Sequence, residues 1–316
     1  MITSLCLNAS IDYTYEVRNF TPGHWHQPAR MNVVAGGKGI NVARVVRALG
    51  HETLVCGFAG GTGAAFIAKD LRRRGILTDF VPIEEEPRRC TNIVDPGARR
   101  QTQVDESGPL VTPTEVQKLR KRFSELLGKT RAITISGSVP RGVPNTIYAE
   151  LIAMAREHRV PVILDARDDL LLEGVKAKPF MVKPNEAELA ELAGEPSLVV
   201  PGGVVEAAKK LVDTGISLVL CSLGQKGAIL VTENSGIWQA RPPEVDYVSN
   251  VGSGDAMVAA FAVGSVDEVG LEGCLRLAVG AGAANAATLG AAQIERQQIL
   301  ELAQRVELEP IGAPVV

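Results

Sequence analysis

Short runs of Val, Leu, Ile and Ala alternate along this chain with longer segments of helical period, and that alternation restricts its fold more than any other feature. Residues 2–8 (ITSLCLN), 53–60 (TLVCGFAG), 131–137 (RAITISG), 160–166 (VPVILDA) and 216–224 (ISLVLCSLG) read as buried strands. Between them lie helical stretches such as FIAKDLRRRG, IYAELIAMAREH and GVVEAAKKLVDTG. In GKGINVARVVRALG, Val42, Val45, Val46 and Leu49 fall on one helical face, and Gly50 supplies the stop. Buried strands separated by amphipathic helices form βαβ units. The expected fold class is therefore α/β: a doubly wound, mostly parallel sheet with helices on both faces. Aromatic residues make up only 4% of the 316, so aliphatic side chains must build the core.

Two stretches interrupt the alternation. Residues 11–35 are polar and aromatic, with Pro22, Gly23 and Pro28. Residues 87–107 read as RRCTNIVD, a turn at Pro96-Gly97, and RQTQVDE, which is a hairpin pattern. We read them as two pieces of a small β-lid inserted at the edge of the sheet. The α/β body then comprises residues 1–10, 36–86 and 108–316, and LEPIGAPVV is expected to be a loose tail.

A net charge of −3 gives no basic excess for nucleic acid. No uncharged apolar stretch approaches the roughly 18 residues of a spanning helix, and the start MITSLCLNAS lacks the pattern of a signal peptide. The five scattered cysteines form no CxxC pair, which suits a reducing compartment. The chain is thus expected in the cytoplasm, without a membrane or nucleic-acid partner. His24 and His26 flank Trp25, but no further His or Cys joins them in a metal site.

Ligands of open parallel sheets bind beyond the carboxyl ends of the strands. Here the apolar runs end in Asn8 (with Asp12 beyond it), Ser136-Gly137-Ser138, Asp165, Lys183-Pro184-Asn185 and Ser222-Leu223-Gly224, which would share one edge. In NVGSGDAM, the turn Gly252-Ser253-Gly254 runs into a helix of small residues, whose first N–H groups form an anion hole beside Asp255. Gly36, Gly37 and Gly39 permit close backbone approach to a ligand, while Lys38 could hold an anion and Asn41 a hydroxyl. Neither run has Walker A or GxGxxG spacing. Asn185 and Glu188, three apart at a helix start, suit Mg²⁺ held largely through water, or simply cap that helix. The glycines of SLGQKGAILV, Gly224 and Gly227, could admit phosphates. Arg88 and Arg89 open the hairpin and could grip a phosphate from above.

GGKGINVAR, SGSVPRG, KPNEAE, NVGSGDAMVAAF and AGAANA, in that order, resemble the signatures of PfkB-type sugar kinases of the ribokinase superfamily, over nearly the whole chain. NASIDY, the arginine near Cys90 and SGSVPRG are most similar to the branch acting on sugar phosphates: 1-phosphofructokinase, tagatose-6-phosphate kinase and the minor-type 6-phosphofructokinase. The resemblance implies ATP and Mg²⁺, with Asp255 as the base and Gly252, Ser253 and Gly254 as the anion hole. It assigns sugar hydroxyls to Asp12, Gly37 and Asn41, and the existing phosphate to Lys38, Arg88, Ser136 and Ser138. Lys183, Asn185, Ser222, Gly224 and Gly227 would meet the nucleotide, with Asn285 near the purine. A homodimer through the lid is a further implication. Ser253 stands where Ala is common, and Pro87 where Thr is usual, so Arg88, Arg89 and Arg141 all stay open as the substrate arginine. The rival readings are a kinase of unphosphorylated sugars or nucleosides, a sugar-phosphate sensor without turnover and, more distantly, a nicotinamide dehydrogenase.

Overall fold

A computed structural model describes residues 1–98 and 100–311. In chain order the strands are β1 (Ile2–Cys6), β2 (Ser10–Glu16), β3 (Arg30–Gly36), β4 (Thr53–Gly60), β5 (Leu77–Ile83), β6 (Arg88–Asp95), β7 (Arg100–Asp105), β8 (Ala132–Ser136), β9 (Val162–Asp165), β10 (Met181–Val182), β11 (Leu218–Ser222), β12 (Ala228–Thr232), β13 (Ile237–Arg241) and β14 (Glu307–Pro310). The helices are α1 (Lys38–Ala48), α2 (Gly61–Arg73), α3 (Pro113–Leu127), α4 (Ile147–Glu157), α5 (Asp168–Lys176), α6 (Glu186–Ala193), α7 (Gly202–Asp213), α8 (Ser253–Val266), α9 (Gly270–Ala286) and α10 (Arg296–Gln304).

Ten strands form one sheet in the order β14-β13-β12-β11-β10-β9-β8-β1-β4-β5. From β11 to β5 every pairing is parallel, and β12, β13 and β14 extend the sheet antiparallel. The central strands β1, β4, β8 and β9 are buried throughout, as apolar strands covered on both faces must be. Alternating side chains feed two cores. Leu5, Ile135 and Leu164 pack against α3, α4, α5 and α7, while Ile2, Ala132 and Ile163 pack against α1, α8, α9 and α10. The α/β fold is thus doubly wound.

Two helices depart from simple amphipathicity. Helix α1 buries both sides: Val42, Val45, Val46 and Leu49 join the second core, whereas Ile40 and Ala43 enter a third with Ile67 and Leu71 of α2. Helix α8 is enclosed almost completely, and its neighbour α9 approaches closely because Gly282 lies against Met257 and Gly264 against Cys274. The expected loose tail is corrected at residues 308–310, which with Glu307 pair with β13 to finish the sheet; residues 312–316 lie outside the described ones.

Strands β3, β2, β6 and β7 form a separate four-stranded sheet in that order. β2 runs parallel to β6 with Asp12 beside Cys90, and β6 and β7 make a hairpin. β7 is exposed along its whole length. No helix among the described residues is long and apolar enough to cross a membrane.

Candidate active site

The chain enters α8 through Gly252, whose φ of +87° belongs to the left-handed region that favours glycine. No side chain caps this helix. The N–H of Ser253 is donated to the Asn250 carbonyl at 3.1 Å, so Ser253 contributes no free donor. The N–H groups of Gly252, Gly254 and Asp255 have no acceptor among the described residues, and they carry the positive end of the helix dipole. Asn285 braces this turn from behind. It is wholly buried and donates its Nδ2 to Val251 O at 2.8 Å and Ser253 Oγ at 3.1 Å. Its Oδ1 accepts from the Ala292 N–H at 2.8 Å, so both ends of the amide expected near the purine are engaged by the loop.

Asp255 lies in the first turn of α8, 4% exposed, and accepts from Asn41 Nδ2 at 2.9 Å. Burial raises its pKa above the usual carboxylate range, and the charge of Asp165 pushes the same way against the pull of Lys38. Asp165 ends β9 at 1% exposure, between Lys38 Nζ at 3.1 Å and Lys183 Nζ at 3.2 Å. Burial opposes its ionisation, but Lys183 and Lys38 together outweigh that and hold its pKa below the ordinary value. Asp165 in turn raises the pKa of Lys38, whose side chain stays 45% exposed. A Cβ at Gly254 would come within 3.2 Å of Lys183 Nζ, so glycine there leaves room for the ammonium at the helix start.

On the side of the small sheet, Asp12 accepts from Ser10 Oγ at 2.6 Å, and burial raises its pKa. Its carboxylate lies so close to Gly36 that a Cβ there would overlap it. Gly37 precedes α1 with φ +104°, where a Cβ would stand 2.7 Å from Cys6 Sγ. Arg88 Nε donates to Asn8 O at 3.2 Å, at the end of β1. Asn8 Nδ2 reaches Ser138 Oγ at 3.1 Å, and Ser136 Oγ is buried without a partner. The guanidinium of Arg141 holds Gly108 O and Glu85, each at 3.1 Å, which binds it to the surface of the fold. Arg89 is exposed.

Asn185 and Glu188 cap α6 reciprocally: Asn185 Oδ1 accepts from the Glu188 N–H at 2.9 Å, and Glu188 Oε2 from the Asn185 N–H at 2.8 Å. Each retains polar atoms, and Asn185 is exposed. Asn185 bridges Ser222, and the Ser222 N–H reaches Pro184 O at 2.9 Å. Beyond it, Gly224 and Gly227 make the tight turn into β12 with φ +58° and +91°. No three His, Cys, Asp or Glu groups are placed to hold a metal among the described residues. The sequence marked Asp165 as a strand-end residue without a role; nothing in it indicates that two lysines far apart in the chain converge there.

The model of the family described as pfkB family carbohydrate kinase matches residues 4–297. A structure of phosphofructokinase-2 from Escherichia coli, in complex with substrates and products, is 26% identical with a TM-score of 0.88, covering 96% of this chain and 98% of that one. A Thermotoga maritima protein described as a possible 1-phosphofructokinase is 25% identical, with a TM-score of 0.84 over 99% and 100% of the two chains. The fold also matches Arabidopsis thaliana ribokinase, at 24% identity and a TM-score of 0.75 over 96% and 98%.

Proposed function

The chain belongs to the PfkB family of carbohydrate kinases, and on that premise we propose that it transfers the γ-phosphoryl group of ATP to a hydroxyl of a sugar that already bears phosphate. The observation that carries this reading is Asp255, a buried carboxylate set beside an uncapped helix start and the Lys38–Asp165–Lys183 cluster.

In this reading the acceptor hydroxyl gives its proton to Asp255 as its oxygen bonds to the γ-phosphorus, and the bond from phosphorus to the β–γ bridging oxygen breaks to release ADP. A carboxylate of raised pKa is the stronger base while ionised. The free N–H groups of Gly252, Gly254 and Asp255 stabilise the charge that develops on the transferring group. Lys183 meets the nucleotide phosphates. Ser222, Gly224 and Gly227 border the rest of the nucleotide, and Asn285 acts from behind by holding the Gly252 turn. Asp12, Gly37 and Asn41 take sugar hydroxyls.

Lys38, Ser136, Ser138 and Arg88 take the existing phosphate. Of the three arginines, Arg88 is favoured because Arg141 is engaged by Glu85 and Arg89 is exposed. Mg²⁺ fits the edge formed by Asn185 and Glu188, since a cation that keeps most of its waters needs only one or two protein oxygens. When bound it would neutralise phosphate charge.

The four-stranded sheet serves as a lid that keeps water from the site, and its edge is the surface we assign to a homodimer. Exposed Met31 and Val104 on its two outer strands, and Trp25 in the connection before β3, support that assignment. A phosphofructokinase-2 structure from Escherichia coli is described as a tetrameric inhibited form. Five buried free cysteines suit a cytoplasmic setting.

The test is ADP release from MgATP with fructose 1-phosphate, fructose 6-phosphate, tagatose 6-phosphate, free fructose, ribose and adenosine. Turnover on one sugar phosphate is expected. Asp255→Asn should lower kcat on the order of a hundredfold or more while sparing substrate binding. Turnover on free sugars or nucleosides alone would withdraw Lys38 and Arg88 as phosphate ligands, and a fully active Asp255→Asn would end the assignment of the base.

A further inference from the structure

The run GGKGINVAR contains two charged residues, and Arg44 has no part in the chemistry above. Its side chain is 3% exposed. Nη1 donates to Asn41 Oδ1 at 3.1 Å, and Asn41 Nδ2 donates onward to Asp255 Oδ2 at 2.9 Å. Nη2 donates to the Ala35 carbonyl and lies 3.4 Å from Asp70 Oδ2. Asp70 Oδ2 also accepts from the Ala35 N–H at 3.1 Å and faces Arg74 Nε at 3.5 Å. A continuous polar chain therefore runs from the end of β3, the last strand of the small sheet before α1, through Arg44 and Asn41 to Asp255.

The chemistry of its members gives this chain a direction. An asparagine amide has a donor end and an acceptor end of nearly the same shape. A guanidinium only donates, and an ionised carboxylate only accepts. With Arg44 on one side of Asn41 and Asp255 on the other, one orientation satisfies both partners. The flipped amide would set its oxygen against the Asp255 carboxylate and its NH₂ against a cation. A buried arginine is also costly to keep: burial lowers its pKa, and Arg74 adds repulsion to that. An ion pair that merely joined α1 to α2 could be replaced by apolar packing at little loss.

We propose that Arg44 is a positioning residue for phosphoryl transfer: it fixes the Asn41 amide so that its N–H group holds the Asp255 carboxylate, and it ties that arrangement to the end of lid strand β3. The inference rests on Asp255 being the base.

A double-mutant cycle tests it, using kcat and the KM for ATP in Arg44→Met, Asn41→Ala and the pair. Arg44→Met should lower kcat by about ten- to a hundredfold, the scale of a misplaced reacting group, with the KM for ATP little changed. Arg44→Lys should recover part of the loss, because an ammonium can still donate to Asn41 Oδ1. In the Asn41→Ala background, Arg44→Met should cost less than about twofold more, since the amide it orients is gone. Equal losses in both backgrounds, or a wild-type kcat in Arg44→Met, would overturn the proposal. Should Arg44→Met not fold, the cycle is run with Arg44→Lys, whose smaller loss should vanish in the Asn41→Ala background, and equal losses in both backgrounds would overturn the proposal. An active Asp255→Asn would instead remove the assignment of the base on which this inference rests, whereas an inactive one with additive Arg44 and Asn41 effects removes only this inference.

Discussion

At Asp255 a carboxylate is 4% exposed and receives one side-chain hydrogen bond, from Asn41, among the described residues. Burial raises its pKa, so between its unfolded and folded values the folded state binds the proton more readily than the unfolded chain. Stability therefore falls as pH rises through that window, and at neutral pH the charge is a net cost to the fold. Asp255→Asn removes the charge and keeps the shape. We expect this variant to melt higher than the wild type at neutral pH, by about 2 °C or more, and the gap to close as pH falls below the unfolded carboxylate value. Melting curves across pH check this, and a variant that melts lower at neutral pH would contradict it. Asp255 was legible from the sequence because glycines crowd around it. Asp165 was legible only as a strand end and Arg44 not at all, since each matters through partners distant in the chain: Lys38 and Lys183 for one, Asp70 and, through Asn41, Asp255 for the other.

A glycine-to-alanine change separates strain from fit at the level of the element. At Gly252 a Cβ would have to take φ +87° and sit 2.8 Å from the Ala291 Cβ, within the loop that Asn285 anchors. At Gly50, after α1, the φ is +97° but no atom lies within 4 Å of the added carbon. Both substitutions should lose about 1–2 kcal/mol for the left-handed backbone, as denaturant unfolding will show. Only Gly252→Ala should also lower kcat, on the order of tenfold, by displacing the N–H groups proposed to face the transferring phosphoryl. Equal activity in the two variants would argue against that role. Sequence periodicity located α1 but gave it one buried face, whereas two cores cover both of its sides. Likewise, β14 is a strand because β13 offers an open edge to residues 307–310, a fact absent from its own polar sequence.

For the whole molecule, the alternation of runs was enough to anticipate a doubly wound sheet, but not the order of its strands, which depends on which helix covers which face. The two interrupted stretches were readable as pieces of one small β-element because they lack a helical period; that β2 lies parallel to β6, Asp12 beside Cys90, is a register that spacing does not encode. The exposure of β7 against complete burial of β1 and β8 predicts unequal amide hydrogen exchange. Amides of β6 and β7 should exchange well before those of β1 and β8. Sugar phosphate together with a non-hydrolysable ATP analogue should slow the small sheet selectively, and no slowing there would remove the lid from the mechanism.

The position of β1 has a further consequence during synthesis. This strand is made before β4 and β8, yet it occupies an interior place in the sheet, where Ile2 pairs with Thr53 on one side and Ala132 on the other. Until β8 emerges, one edge of β1 has no partner, and apolar residues meant for the interior must be shielded by other means. Of the residues proposed for the site, Lys183, Asp255 and Asn285 arrive later still, in that order. A growing chain thus completes the β1-β4-β5 side of its sheet before it extends across to β14, so a product truncated before β8 would expose a sticky strand edge.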